Sequence, residues 1–156
     1  MTTSLGLHQD MPKKLDPLGF AKSLWRIVVG RPRVPHSLAD NPLLNTILER
    51  RSVRSFADRE ISDDTFLAIL EAGRVAPSTV NLQTWTFALF TPDSWRETFG
   101  EPIPFMGKRA VIIMGDTHRG KLIADAFPAA PLVEYTIAVM NASLAAMSMN
   151  IAAEAL

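Results

Sequence analysis

The pattern of the chain predicts an α+β fold with a long C-terminal helix, and three observations carry the prediction. Helical and strand-like segments follow one another without the strict alternation of a parallel α/β sheet. Two short runs, 85–90 and 110–114, have strand character. From about Leu132 the sequence is rich in alanine and methionine, with no proline or glycine as far as Leu156.

Residues 1–40 carry prolines at 12, 17, 32 and 35 and scattered charge, which reads as an N-terminal extension. Its apolar stretch Leu18 to Val29, interrupted by Lys22 and Arg26, predicts one short amphipathic helix. No small-residue cleavage pattern follows, so it is not read as a signal peptide. Residues 41–156 form the domain. Asn41 and Pro42 supply a capping side chain and a preset first turn for a helix running to about Arg50. Ser62, Asp63 and Asp64 open a second helix with the apolar stripe Phe66, Leu67 and Leu70, which Gly73 and Pro77 close. Trp85 to Phe90 is rich in aromatics, with Trp85, Phe87 and Leu89 alternating onto one face as in a strand, and Thr91 with Pro92 starts a short helix. Ala110 to Met114 is continuously apolar, the mark of a strand buried on both faces, and Gly115 ends it. The final segment is apolar nearly all round, so a helix sandwiched between other elements or against a second subunit is expected.

A chain of 156 residues, 47% of them hydrophobic, has the length for one core. Sixteen basic residues balance sixteen acidic ones, so no global field gathers nucleic acid or an anionic surface. Without cysteine there is no disulfide, thiolate nucleophile or thiolate metal site, and redox chemistry requires a bound cofactor. His8, His36 and His118 are far apart and only Asp116 with His118 has ligand-like spacing, so no metal site is expected. Pro131 to Leu156 is long enough to cross a bilayer, but Glu134, Asn141, Asn150 and Glu154 would be costly there. A buried soluble helix, no membrane span and a cytoplasmic location are expected.

Two segments carry chemistry. Arg50, Arg51, Ser52, Arg54 and Ser55 place three guanidiniums and two hydroxyls within six residues, forked and pointed donors suited to a phosphate. The plainer alternative is a helix C-terminus decorated with solvated cations. No aromatics interleave with the arginines, which argues against nucleic acid. The second segment, Ala76 to Trp85, is a polar loop in which Pro77, Ser78 and Thr79 precede Asn81 and Gln83. Those two amides each offer a donor and an acceptor for the edge of a heterocycle. Its plainer alternative is an ordinary capped turn.

Taken together, RRSVRSF and then, after a capped helix, APSTVNLQTW resemble the opening signature of the nitroreductase family, roughly RRSxRxF and APSxxNxQPW. KRAVIIMGDTHR is similar to the family's central strand, and NASLAAMSMNIAAEAL to its long helix. The resemblance spans about Pro42 to Leu156. It implies an α/β/α sandwich that dimerises over the long helix and binds FMN in clefts at the subunit interface. By position, Arg50 and Ser52, with Arg51 beside them, would meet the FMN phosphate and ribityl chain. Arg54 would approach the flavin pyrimidine, Asn81 and Gln83 would hydrogen-bond the ring, and Pro77, Ser78 and Thr79 would line the cleft. NADPH or NADH would act as reductant, a nitroaromatic or quinone-like small molecule as electron acceptor, and no protein nucleophile is required.

Four positions depart from the family pattern. Thr84 replaces the usual proline, Asn141 the usual aspartate, and Met147 and Ser148 the usual glutamine and asparagine. The resemblance also breaks off where the family continues through a GLG turn, so the sandwich is expected to be incomplete at its C-terminal side. Two rival functions follow: a non-catalytic remnant or partner subunit that binds no flavin, and the same fold turned to reductive dehalogenation or flavin fragmentation.

Overall fold

A computed structural model describes residues 16–29, 34–119 and 130–156. His8 and the prolines at 12 and 32 lie outside the described residues. The chain divides into two compact units, Met1–Ala39 and Asp40–Leu156.

In the first unit helix α1 (Pro17–Val29) begins where the Leu18 N–H donates to Asp16 Oδ1 at 3.1 Å. Leu18, Phe20, Leu24 and Trp25 are all exposed on it.

The second unit is built from short elements whose ends are fixed by local chemistry. Helix α2 (Pro42–Glu49) is capped by Asn41, whose side chain accepts from the Leu44 N–H at 3.0 Å. Helix α3 (Asp63–Arg74) is capped by Ser62, which accepts from the Thr65 N–H at 3.1 Å, with Asp63 and Asp64 at the positive end of the dipole. Strand β1 (Trp85–Phe90) runs into helix α4 (Pro92–Phe99), where Thr91 and Ser94 form a reciprocal capping box and Gly100, at φ 77°, closes the helix in the left-handed region. Phe90, Trp95 and Phe99 cluster with ring centroids 4.4 to 5.6 Å apart, which holds α4 against the end of β1. Strand β2 (Ala110–Gly115) pairs antiparallel with β1, Trp85 opposite Gly115 and Phe90 opposite Ala110. Helix α5 (Pro131–Ala155) packs on α3 and on both strands.

Ala76, Trp85, Ala142 and Ala145 form the core, with Phe87 and Ile113 packed against it. Small residues set these contacts. Gly115 brings β2 so near to α5 that a side chain there would meet the Ala138 backbone at 3.0 Å, and Gly73 of α3 faces Met149.

Two expectations are corrected. The helix expected to be sandwiched between other elements or against a second subunit is covered within one copy only along one stripe, Ala138, Asn141, Ala142, Ala145 and Met149, while Leu132, Tyr135, Met140, Leu144 and Met147 are exposed. Composition marked α5 as apolar all round, but α3 and the sheet cover a single face. By length and composition α5 is also apolar enough to cross a membrane. The strand expected to be buried on both faces is only half-buried, and Met114 is exposed, because β2 belongs to a two-stranded sheet packed on α5. The sandwich is therefore present in part: an α+β unit, rich in helix, with a small antiparallel sheet.

Candidate functional site

The arginine segment lies just past α2. Arg50 turns to φ −48°, ψ 132° and ends the helix, and its N–H still reaches Thr46 O at 3.2 Å. Arg51 then folds back. Its Nη1 donates to the carbonyls of Leu48, Glu49 and Arg50 at 2.9 to 3.0 Å, placing a cation on the negative end of the dipole. Arg54 Nη1 donates to Ser52 O at 3.3 Å. The side chains of Arg50, half-buried, and Ser52, exposed, make no hydrogen bond or ion pair among the described residues. The segment thus offers Arg50, Ser52 and the remaining guanidinium N–H groups of Arg51 and Arg54 to an anion. The plainer role expected of these cations is realised at Arg51.

The second segment closes on itself. The Gln83 N–H donates to Ser78 Oγ at 3.0 Å, the Asn81 N–H to Ser78 O at 3.1 Å and the Leu82 N–H to Thr79 O at 2.9 Å. Inside this loop Val80, Asn81 and Gln83 have φ of 41°, 57° and 47°. Asparagine tolerates that left-handed region, but a β-branched valine is strained there. Val80 is 84% exposed, so no packing of its side chain offsets the strain. Pro77, Thr79 and Asn81 are exposed, and Ser78 and Gln83 half-buried.

Gln83 Nε2 donates to Arg74 O at 3.5 Å, and three further ties hold the loop to the body. The Asp116 N–H donates to Thr84 O at 3.0 Å, and Arg119 Nη1 donates to Gln83 O at 3.3 Å. The third tie is Asn141 on α5, 1% exposed. Its Oδ1 accepts from the Thr79 N–H at 3.0 Å and the Thr79 hydroxyl at 3.2 Å, and its Nδ2 donates to Thr84 Oγ1 at 2.8 Å. Two of the four positions that depart from the family pattern, Thr84 and Asn141, therefore touch each other. The clamp was not expected from sequence. Its signal was an amide on a helical stripe otherwise made of alanine and methionine, since a buried amide must find partners.

Beside the loop lies an open groove of about 470 Å³ lined by Leu70, Arg74, Gln83, Trp85, Phe87 and Arg119. Its two guanidiniums are already paired. Arg74 is bonded to Glu71, whose carboxyl that bond holds below its ordinary range, and Arg119 lies 3.6 Å from Asp116. A second cavity of about 560 Å³ is bordered by Phe56, Ala57 and residues 59–62, by Lys108 and Arg109, and by the end of α5. There too the charges are matched, Lys108 to Asp58 and Glu60, and Arg109 to Asp63 at 2.9 Å. Among the described residues no group of three acidic or histidine side chains could hold a metal ion. No hydrogen bond joins the arginine segment to the 76–84 loop among the described residues, so these contacts do not assemble the nine predicted site residues into one cleft.

Residues 47–156 match the model of the nitroreductase family. A protein of Archaeoglobus fulgidus, provisionally named NADH dehydrogenase/NAD(P)H nitroreductase, is 31% identical over 114 residues, covering 69% of this chain and 63% of its own length. A provisionally named NADH dehydrogenase/NAD(P)H nitroreductase from Parabacteroides distasonis superposes with a TM-score of 0.54 at 28% identity, covering 74% of this chain and 63% of that one. The NADPH:FMN oxidoreductase of Vibrio harveyi, solved with NAD+, superposes with a TM-score of 0.60 at 23% identity, covering 74% and 52%. The chain belongs to the nitroreductase family, and it spans between about half and two thirds of the length of these relatives.

Proposed function

We propose that this chain is part of an FMN-dependent NAD(P)H oxidoreductase of the nitroreductase type that reduces a small nitroaromatic or quinone-like acceptor. The observation that carries the reading is the donor set left open on the arginine segment. Among the described residues Arg50 and Ser52 keep their side chains free of partners, and Arg51 and Arg54 keep part of theirs, which is the chemistry a phosphate needs. The exposed Asn81, held in a fixed loop, offers an amide to a heterocycle edge. FMN, when bound, supplies the two-electron chemistry, and these residues bind and orient it. Arg54 would bring a positive charge to the reduced flavin ring as that ring gains negative charge.

A second copy of the chain completes the site in this reading. The exposed Leu132, Tyr135, Val139, Met140, Leu144 and Met147 give α5 a broad apolar face that a partner α5 would cover. The two predicted segments, unconnected by hydrogen bonds within one copy, would then come together from different copies.

The test is reduction. FMN retained by the purified chain should bleach when NADH or NADPH is added anaerobically and recolour with a quinone. Retained flavin that neither nucleotide bleaches would contradict the oxidoreductase reading. The non-catalytic alternative is favoured by one observation, the commitment of Arg51 to the carbonyls of α2, and it requires that the chain retain no flavin at all.

A further inference from the structure

We propose that Asn141 is a positioning residue: from α5 it holds the 79–83 loop in the strained shape that presents Asn81 to a planar heteroaromatic ligand. The inference rests on the flavin reading of that loop.

The amide uses both of its ends here. The Thr79 N–H can only donate, so the atom facing it must be Oδ1, and Nδ2 is thereby turned to Thr84 Oγ1. A single side chain thus closes on residues that bracket the loop, one before its left-handed run and one after it. The neighbours of Asn141 along the buried stripe are Ala138, Ala142 and Ala145, and an apolar residue in its place would avoid the desolvation of an amide. The amide earns its place through what it holds.

What it holds would not keep that shape unaided. Three residues that are not glycine sit at positive φ within four positions, and one of them is a β-branched valine exposed to solvent. Released from Asn141, Thr79 and Thr84 would let the loop relax toward ordinary φ. Asn81 would then be presented by an ensemble, and the ligand would have to order it on binding. The side chain of Asn141 is itself buried, so its influence on a ligand passes through the loop.

The test compares Asn141→Ala with Asn141→Asp in the full chain. The aspartate keeps an acceptor for Thr79, and the Thr84 hydroxyl can turn to donate to it. In the flavin-free protein, Asn141→Ala should raise amide hydrogen exchange at residues 79–83 by about tenfold, roughly the equivalent of the hydrogen bonding removed, while β1, β2 and α5 stay protected. Its dissociation constant for FMN should rise by about the same factor, and Asn141→Asp should restore both to within about threefold. A purely structural residue would instead lower the unfolding midpoint and leave the FMN constant within about twofold, and that result would overturn the proposal. Unchanged exchange at 79–83 would overturn it as well. If the unmodified chain takes up no FMN, the flavin reading fails by itself, and exchange at 79–83 still decides whether Asn141 holds the loop. Should Asn141→Ala not fold, Thr84→Val removes one bond of the clamp and is expected to move exchange in the same direction by a few-fold.

Discussion

Asn141 and Thr84, 57 residues apart, are joined by a 2.8 Å hydrogen bond in which both side chains are within 2% of complete burial. Each departs from the residue usual in the family pattern, and the two departures meet. Proline at 84 would offer no hydroxyl to the amide of 141. Thr84→Val keeps the shape, removes the hydroxyl and leaves Asn141 Nδ2 buried without that partner. It should cost about 1–3 kcal/mol of folding stability, measured as a lower urea midpoint with an unchanged m-value.

Val80 is a site where the native residue works against stability. Its φ of 41° suits asparagine far better, and its side chain is exposed. Val80→Asn should therefore raise stability by about 1 kcal/mol, the order of the left-handed penalty relieved, read as a higher melting temperature. A lower melting temperature would mean that the loop does not adopt this backbone.

Gly115 shows the reverse. A Cβ there would lie 3.0 Å from the backbone of Ala138, which cannot move aside as a flexible side chain can. Gly115→Ala should separate β2 from α5 and cost roughly 1–3 kcal/mol, seen in denaturant unfolding.

The 57–61 segment is tied by Lys108 to Asp58 and Glu60. The hydrogen bond from Lys108, and then its charge, hold the Asp58 carboxyl below its ordinary range, while Asp58, and more weakly Glu60, hold the Lys108 ammonium above its own. The tie is thus fully present between the ordinary carboxylate and ammonium ranges, and is lost as pH falls through the lowered carboxyl value or rises through the raised ammonium value. An NMR titration of Asp58 should show a midpoint below that of a free aspartate, returning to the ordinary aspartate range in Lys108→Gln.

Much of the framework was legible because its signals are local. Asn41, Ser62 and Thr91 each cap the helix that follows within three residues, and β1 covers the stretch that its aromatic alternation marked. Contacts made at a distance left no such trace. The exposure of α5 depends on how many elements pack around it, which composition does not contain. The left-handed backbone at Val80 and Gln83 runs against the residues that usually signal it, glycine and asparagine. At the site, residue types suggested what Arg50 to Arg54 and Pro77 to Gln83 could bind, but the capture of Arg51 by α2 and the clamp from Asn141 are tertiary facts.

The central claim is that these two segments make a flavin site. The most direct test is the visible absorption spectrum of the purified chain after addition of FMN and removal of the excess on a desalting column. The wild-type chain should retain absorbance with the two bands of a bound flavin, and the Arg50→Ala/Arg54→Ala double variant should lose it. A colourless wild-type chain, or a double variant as yellow as the wild type, would contradict it.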